Sequence, residues 1–167
     1  MTQPLQIEIY KSPILKKRAL EVGAITLFLK KLIQEMNATM ELNQGVGLAA
    51  PQVGISQRII IVKDAEQNHV FLNPEILSKS KQQETDEEGC LSLPGIFLKI
   101  KRAKKIEVMA KTPQGKTVRI QATGLGARIF QHEIDHLNGK LILNRISPLK
   151  RFGLRKKLSL IKKVHDA

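Results

Sequence analysis

The sequence predicts an α+β fold, with antiparallel sheets surrounding a central helix and a C-terminal helix. Three observations lead there. Segments 58–63 (RIIIVK), 70–77 (VFLNPEIL), 104–111 (KKIEVMAK) and 116–122 (KTVRIQA) read as strands. Turn-like stretches at 64–69 and 113–115 join them in pairs, as hairpins. Helical periodicity precedes the strands, follows them, and returns near the end of the chain.

The elements follow in order. Leu29, Leu32, Ile33, Met36 and Met40 fall at helical spacing, so 25–42 is an amphipathic helix. The first hairpin comes next. Residues 84–88 (ETDEE) read as an acidic loop leading into Gly89 and Cys90. In the second hairpin Ile106, Val108 and Ala110 share one face, and Val118, Ile120 and Ala122 alternate. Gly124 or Gly126 then precedes a helix that stops at Asn138 and Gly139. A last helix starts with Ser147 as N-cap and Pro148 in its first turn, and continues through Leu154, Leu158, Ile161 and Val164. No linker or repeat divides the chain, so 1–167 is expected to be one domain, with 147–165 as a basic C-terminal helix.

No apolar run approaches the ~18 residues of a membrane span. The start, MTQPLQIEIYKSP, lacks the charged and apolar regions of a secretory leader. The expected location is cytoplasmic, with no membrane partner. A lone cysteine, Cys90, excludes an internal disulfide. The net charge of +13 comes largely from two clusters, at 99–105 and at 150–163. Such surfaces attract polyanions through a salt-sensitive field.

Residues 131–136, QHEIDH, carry His-Glu-x-x-His. His132 and His136 are one helical turn apart on one face, a spacing that suits two metal ligands. Glu133 can reach a water at the metal without ligating the ion. Two imidazoles still need a third ligand. A metalloprotease of the HExxH type would take it from downstream, but Ile142 occupies the frame position for histidine and no glutamate follows Glu133. His165 and Asp166 are the only later candidates. Upstream, EEGCLSLPG (87–95) offers the Cys90 thiolate, and a Cys-His-His site leaves a fourth position open. The stretch GVGLAAPQ (45–52) imitates a dinucleotide fingerprint. A preceding helix, Pro51, and too few residues for a crossover all exclude that reading.

GVGLAAPQ, EGCLS and QHEIDH, standing in this order, resemble the peptide deformylase family. That family's pattern G-x-G-x-A-A-x-Q, E-G-C-x-S, Q-H-E-x-D-H is matched at every fixed position, and the likeness extends from about Ile14 to the terminal helix. It implies a hydrolase that removes the N-formyl group from the N-terminal formylmethionine of newly made polypeptides. It implies an α+β fold with antiparallel sheets around the metal helix. The implied ligands are Cys90, His132 and His136, holding Fe2+, for which Ni2+, Co2+ or Zn2+ can substitute. Gln52 and the Leu91 N–H are the implied oxyanion donors, with Glu133 as proton carrier. Val46, Gly47 and Gly89 match positions whose backbone pairs with an extended peptide. The substrate methionine is expected near Leu125, Ile129 and His132.

The same resemblance suggests that Glu88 and Arg102 pair to hold the Cys90 loop. Lys101 stands where relatives often carry proline, which leaves the path of 95–101 open. The basic terminal helix is expected to dock on the ribosome, with Leu154, Leu158 and Ile161 holding it while Arg155, Lys156, Lys162 and Lys163 face outward. Deletion of 150–167 is then expected to spare the chemistry. A nucleic-acid-binding module with a structural metal is a competing class, but no fourth protein ligand is apparent. His69 and His165 have no assigned role.

Overall fold

The computed structural model describes residues 3–65 and 67–165. Its helices are α1 (Leu27–Leu42), α2 (Gly124–Leu137), α3 (Pro148–Gly153) and α4 (Arg155–His165). Its strands are β1 (Gly47–Ala49), β2 (Ile59–Lys63), β3 (Asn68–Lys79), β4 (Gln83–Glu88), β5 (Leu98–Ala103), β6 (Lys105–Lys111) and β7 (Thr117–Thr123). A five-stranded antiparallel sheet runs β1-β2-β3-β6-β7, and β4 pairs with β5 in a separate ribbon.

The unbroken apolar run of β2 has a direct physical reason. Side chains alternate across a strand, and here both faces are covered. Ile60 and Val62 pack with Ile129, Phe130, Ile134 and Leu137 of α2. Ile59 and Ile61 pack with Leu29, Leu32, Met36 and Met40 of α1. β2 therefore fixes α2 in depth. Arg58, just before β2, fixes the end of that helix: its guanidinium donates to the Leu137 carbonyl and to Asn138 Oδ1, at 3.3 and 3.1 Å. A cation at a helix C-terminus also suits the helix dipole. Gly139 then turns the chain at φ +68°, where an added Cβ would meet the Lys16 carbonyl at 2.6 Å, so only glycine fits.

Thr26 caps α1, its hydroxyl accepting from the Leu29 N–H at 3.2 Å. The long strand β3 is irregular at Asn73, which has φ +50° and lies within the register shift between Leu72 and Glu75 against β6. The Asn73 amide grips both backbone groups of Val22, at 2.8 and 2.9 Å, and ties the N-terminal segment to the sheet.

Three expectations need correction. The acidic stretch 84–88 is not a loop but most of β4. Nearly all of β4 is solvent-exposed, so no apolar alternation marks it. Its register sets acidic residues opposite basic ones: Glu84 lies opposite Arg102, and Glu87 opposite Lys99. The first basic cluster thus faces an acidic strand of its own chain. The open path 95–101 ends in β5, where Lys101 pairs with Thr85.

Second, the terminal helix is two helices. Gly153, a weak helix former, ends α3, and Leu154 makes a tight turn before α4. The break lets Leu158 and Ile161 enter a third core with Leu15, Leu93, Ile96, Ile100 and Ile142. The side chains of Lys162, Lys163, Val164 and His165, and all of Asp166, lie outside the described residues. Third, Gly124 is the first residue of α2, so Gly126 lies inside the helix rather than before it.

Candidate active site

Helix α2 presents His132 and His136, and the turn after β4 brings Cys90 to them. The Cys90 Sγ stands 3.3 Å from His136 Nε2, which is 3.2 Å from His132 Nε2. Cys90, His132 and His136 thus offer one ligand atom each, all within 4.8 Å of one another. A thiol and two imidazoles converging in this way suit a divalent transition metal. Their surroundings suit it too. His132 directs Nδ1 to Glu88 Oε2 at 3.0 Å, which leaves Nε2 for the ion. His136 Nδ1 is buried with no hydrogen-bond partner among the described residues.

Glu88 is the hub of this support. Arg102 grips its carboxylate with two bonds of 2.9 Å, so the expected pair forms. Burial alone would raise the Glu88 carboxyl, but the bonds from Arg102 and His132 outweigh it and hold it well below the usual range. Asp135, on the same helix, takes Arg102 and Arg145. Burial again pushes upward, and the two guanidiniums win, lowering this carboxyl. Gln131 docks α2 on the end of β5, its amide accepting from the Ala103 N–H (3.2 Å) and donating to the Ala103 carbonyl (3.0 Å).

Burial lowers both imidazoles. In His132 the Cys90 sulfur and Glu88 overcome it and raise the ring well above its ordinary value. In His136 the charges of His132 and Arg102 add to burial, outweigh Glu88 and hold the ring well below. The Glu133 carboxyl is pushed up to about 7, chiefly by burial, and its Oε2 has no hydrogen-bond partner among the described residues.

Every expected site residue except His136 lines one cavity of about 480 Å3. Gln52 is buried beside the thiol. It donates to Ser92 Oγ at 3.3 Å, with Cys90 Sγ at 3.6 Å, while its oxygen holds the Ala49 N–H at 2.9 Å. Cys90 and Leu91 lie in the turn closed by the Leu93 N–H on the Cys90 carbonyl. Val46 and Leu125 sit at the exposed rim and Ile129 is buried in the wall. Gly47 has no room for a side chain: an added Cβ would lie 2.8 Å from Ile129 Cγ2 and against the Glu133 carboxylate. β1, which carries Gly47, is an edge strand, paired only with β2. Gly89 packs under the exposed ring of Phe97, which also lines the cavity.

Sequence reasoning missed Arg128, Asp135, Arg145, Ser92 and Phe97. Arg128 carried a signal: it precedes His132 by four residues and so shares its helical face. Arg145 and Phe97 carried none, because their roles depend on distant segments. His69, with no assigned role, contacts Asp64 at 2.6 Å.

Residues 4–152 match the family model described as polypeptide deformylase. The chain is 49% identical over 153 residues to the peptide deformylase of Thermotoga maritima, covering 92% of this chain and 93% of that protein. The crystal structure of a peptide deformylase from Legionella pneumophila superposes with a TM-score of 0.91 at 40% identity, over 98% of each chain. The Met-Ala-Ser-bound crystal structure of a peptide deformylase from Acinetobacter baumannii gives a TM-score of 0.85 at 40% identity, covering 87% of this chain and 100% of that one.

Proposed function

Because the chain belongs to the polypeptide deformylase family, which removes the N-formyl group from N-terminal formylmethionine and releases formate, we propose that Cys90, His132 and His136 hold its metal and that Glu133 carries its proton. The observation that carries this reading is the convergence of those three ligand atoms, with Cys90 and His132 lining a cavity bordered by an edge strand. A divalent ion bound there acts as a Lewis acid and makes a water easier to deprotonate near neutral pH.

The protein's own groups do the rest. The extended peptide lies along the open edge of β1, at Val46 and Gly47, with Gly89 on the other side. The methionine side chain enters the apolar wall near Leu125, Ile129 and His132. The formyl oxygen faces the Gln52 amide and the Leu91 N–H, which donate as negative charge develops on it. Glu133 takes a proton from water and passes it to the departing amine. Its Oε2 has no hydrogen-bond partner among the described residues and the residue borders the same cavity, which supports that role.

The ion in the cell is Fe2+, with Ni2+, Co2+ or Zn2+ able to replace it; a thiolate with two imidazoles accommodates all four. Residues 1–167 act as one catalytic domain, with 147–165 as its basic C-terminal part. No helix among the described residues is long and apolar enough to cross a membrane. The enzyme works in the cytoplasm, where its substrates are made, and docks on the ribosome through exposed Lys150, Arg151, Arg155, Lys156 and Lys157. The metalloprotease alternative is not favoured: Cys90 supplies the third donor from upstream, and Ile142 is buried in the third core.

The test is anaerobic purification, metal analysis, and parallel assay of formyl-Met-Ala-Ser and a blocked internal peptide. Formate release at one metal per chain is expected. Cleavage of the internal peptide without formate release would replace this reading with a protease.

A further inference from the structure

We infer that Arg128 is a positioning residue for the metal, acting through Glu88 on His132 rather than on the substrate. The inference rests on the Cys90–His132–His136 reading above.

Arg128 lines the cavity and is only 7% exposed. Its two terminal nitrogens are tied to the protein by three hydrogen bonds. It donates to Glu88 Oε1 at 2.7 Å, to the Ile100 carbonyl at 2.9 Å and to the Glu84 carbonyl at 3.1 Å. These three acceptors belong to β4 and β5, the ribbon that delivers Cys90. The charged head thus serves the ribbon.

Glu88 makes the connection. Arg102 holds both of its oxygens from β5, but a third nitrogen of Arg102 is drawn to Asp135. Arg128 holds Oε1 from α2, the helix that also carries His132, and His132 meets Oε2. Arg128 and His132, one turn apart, thus grip the two oxygens of a single carboxylate. That closed figure fixes the carboxylate plane and, through Nδ1, the direction of His132 Nε2. Without Arg128 the carboxylate keeps Arg102 and His132 but loses its hold on α2 through Oε1, and α2 keeps only the Gln131 bonds to Ala103 on that backbone. Loss of a group that orients a metal ligand typically weakens metal affinity by ~10–100-fold.

The opposite sign is available as a control. A guanidinium near a cation repels it, so a purely electrostatic Arg128 would, on removal, leave tighter metal binding. Arg128→Met keeps the stem and removes the donors; Arg128→Lys keeps the charge and loses the fork. The experiment is chelator competition for Co2+, with the visible ligand-field bands recorded, on wild type, both variants, Glu88→Gln and the Glu88→Gln/Arg128→Met pair. Expected is a Co2+ affinity roughly 10-fold or more weaker in Arg128→Met, a smaller loss in Arg128→Lys, and shifted bands. KM for formyl-Met-Ala-Ser in the metal-saturated variants should be unchanged, and the loss should shrink in the Glu88→Gln background.

Unchanged or tighter Co2+ binding in Arg128→Met overturns the inference, as does a raised KM with normal affinity, or full additivity with Glu88→Gln. If Arg128→Met does not fold, Arg128→Lys decides: wild-type affinity and bands overturn the inference, and a several-fold loss supports it. Failure of wild type to take Co2+ at Cys90 would overturn the metal reading and this inference together, whereas normal wild-type binding with unaffected variants overturns this inference alone.

Discussion

Cys90 Sγ and His136 Nε2 meet at 3.3 Å across 46 residues of sequence. An oxidisable sulfur beside an oxidisable ion is a liability. The iron form should therefore lose activity quickly in air and more slowly with catalase, while the nickel form persists. Formate release followed over hours on parallel metal forms checks this. Equal durability of the iron and nickel forms argues against a Cys90-ligated ferrous site. Cys90→Ala should lose both metal affinity and activity.

Glu133→Ala should keep the metal and lose turnover by roughly 10²–10⁴-fold, the usual worth of a proton carrier. Metal analysis and steady-state kinetics on one preparation decide it. Loss of the metal would move Glu133 among the ligands.

Gly47→Ala forces a Cβ against Ile129 and the Glu133 carboxylate. With metal content unchanged, kcat/KM should fall by about 10²-fold, the cost of a misplacement near 1 Å. Wild-type kinetics in that variant would mean that the edge strand yields freely, and the proposed peptide track would have to be redrawn.

The structure changes how the ribosome proposal must be tested. Leu158 and Ile161 are core residues, so deletion of 150–167 would uncover Leu15 and Ile142. Reversing exposed charges is cleaner. Lys150→Glu, Arg151→Glu, Lys156→Glu and Lys157→Glu together should reduce pelleting with ribosomes and leave hydrolysis of a short formyl peptide intact. The wild-type interaction should weaken steeply with salt. Retained pelleting in the reversed variant counts against this docking surface.

Leu158→Ala should by contrast destabilise the fold by roughly 2–5 kcal/mol, as loss of a buried leucine does. Urea unfolding measures it, and a midpoint equal to wild type would show that α4 is not anchored by this residue.

Much of the fold was legible because it follows from periodicity. Leu29, Leu32, Met36 and Met40 mark α1, and the alternation of Ile106, Val108 and Ala110 marks β6. β4 was not legible, since five of its six residues are exposed and it has no buried side for apolar residues to record. The break at Gly153 was masked by Leu154, Leu158 and Ile161, which keep helical spacing across it. At the site, the motifs named Cys90, His132 and His136, whose side chains converge, and Glu133 beside the cavity. Arg145 and Phe97 escaped because each meets its partner through tertiary approach rather than spacing. The Glu88–Arg102 pair came from resemblance, and its hydrogen bonds follow from β4 and β5 lying side by side.

The packing of α4 has a consequence for the order in which the molecule can be completed. Leu158 and Ile161 are made after every other member of the core that holds Leu93 and Ile96, the residues flanking the Cys90 turn. During synthesis that turn has its histidines before it has its floor. Domains settle as units once their last contacts have emerged. The turn that carries Cys90 therefore has its complete packing only once residues 158–161 have been made.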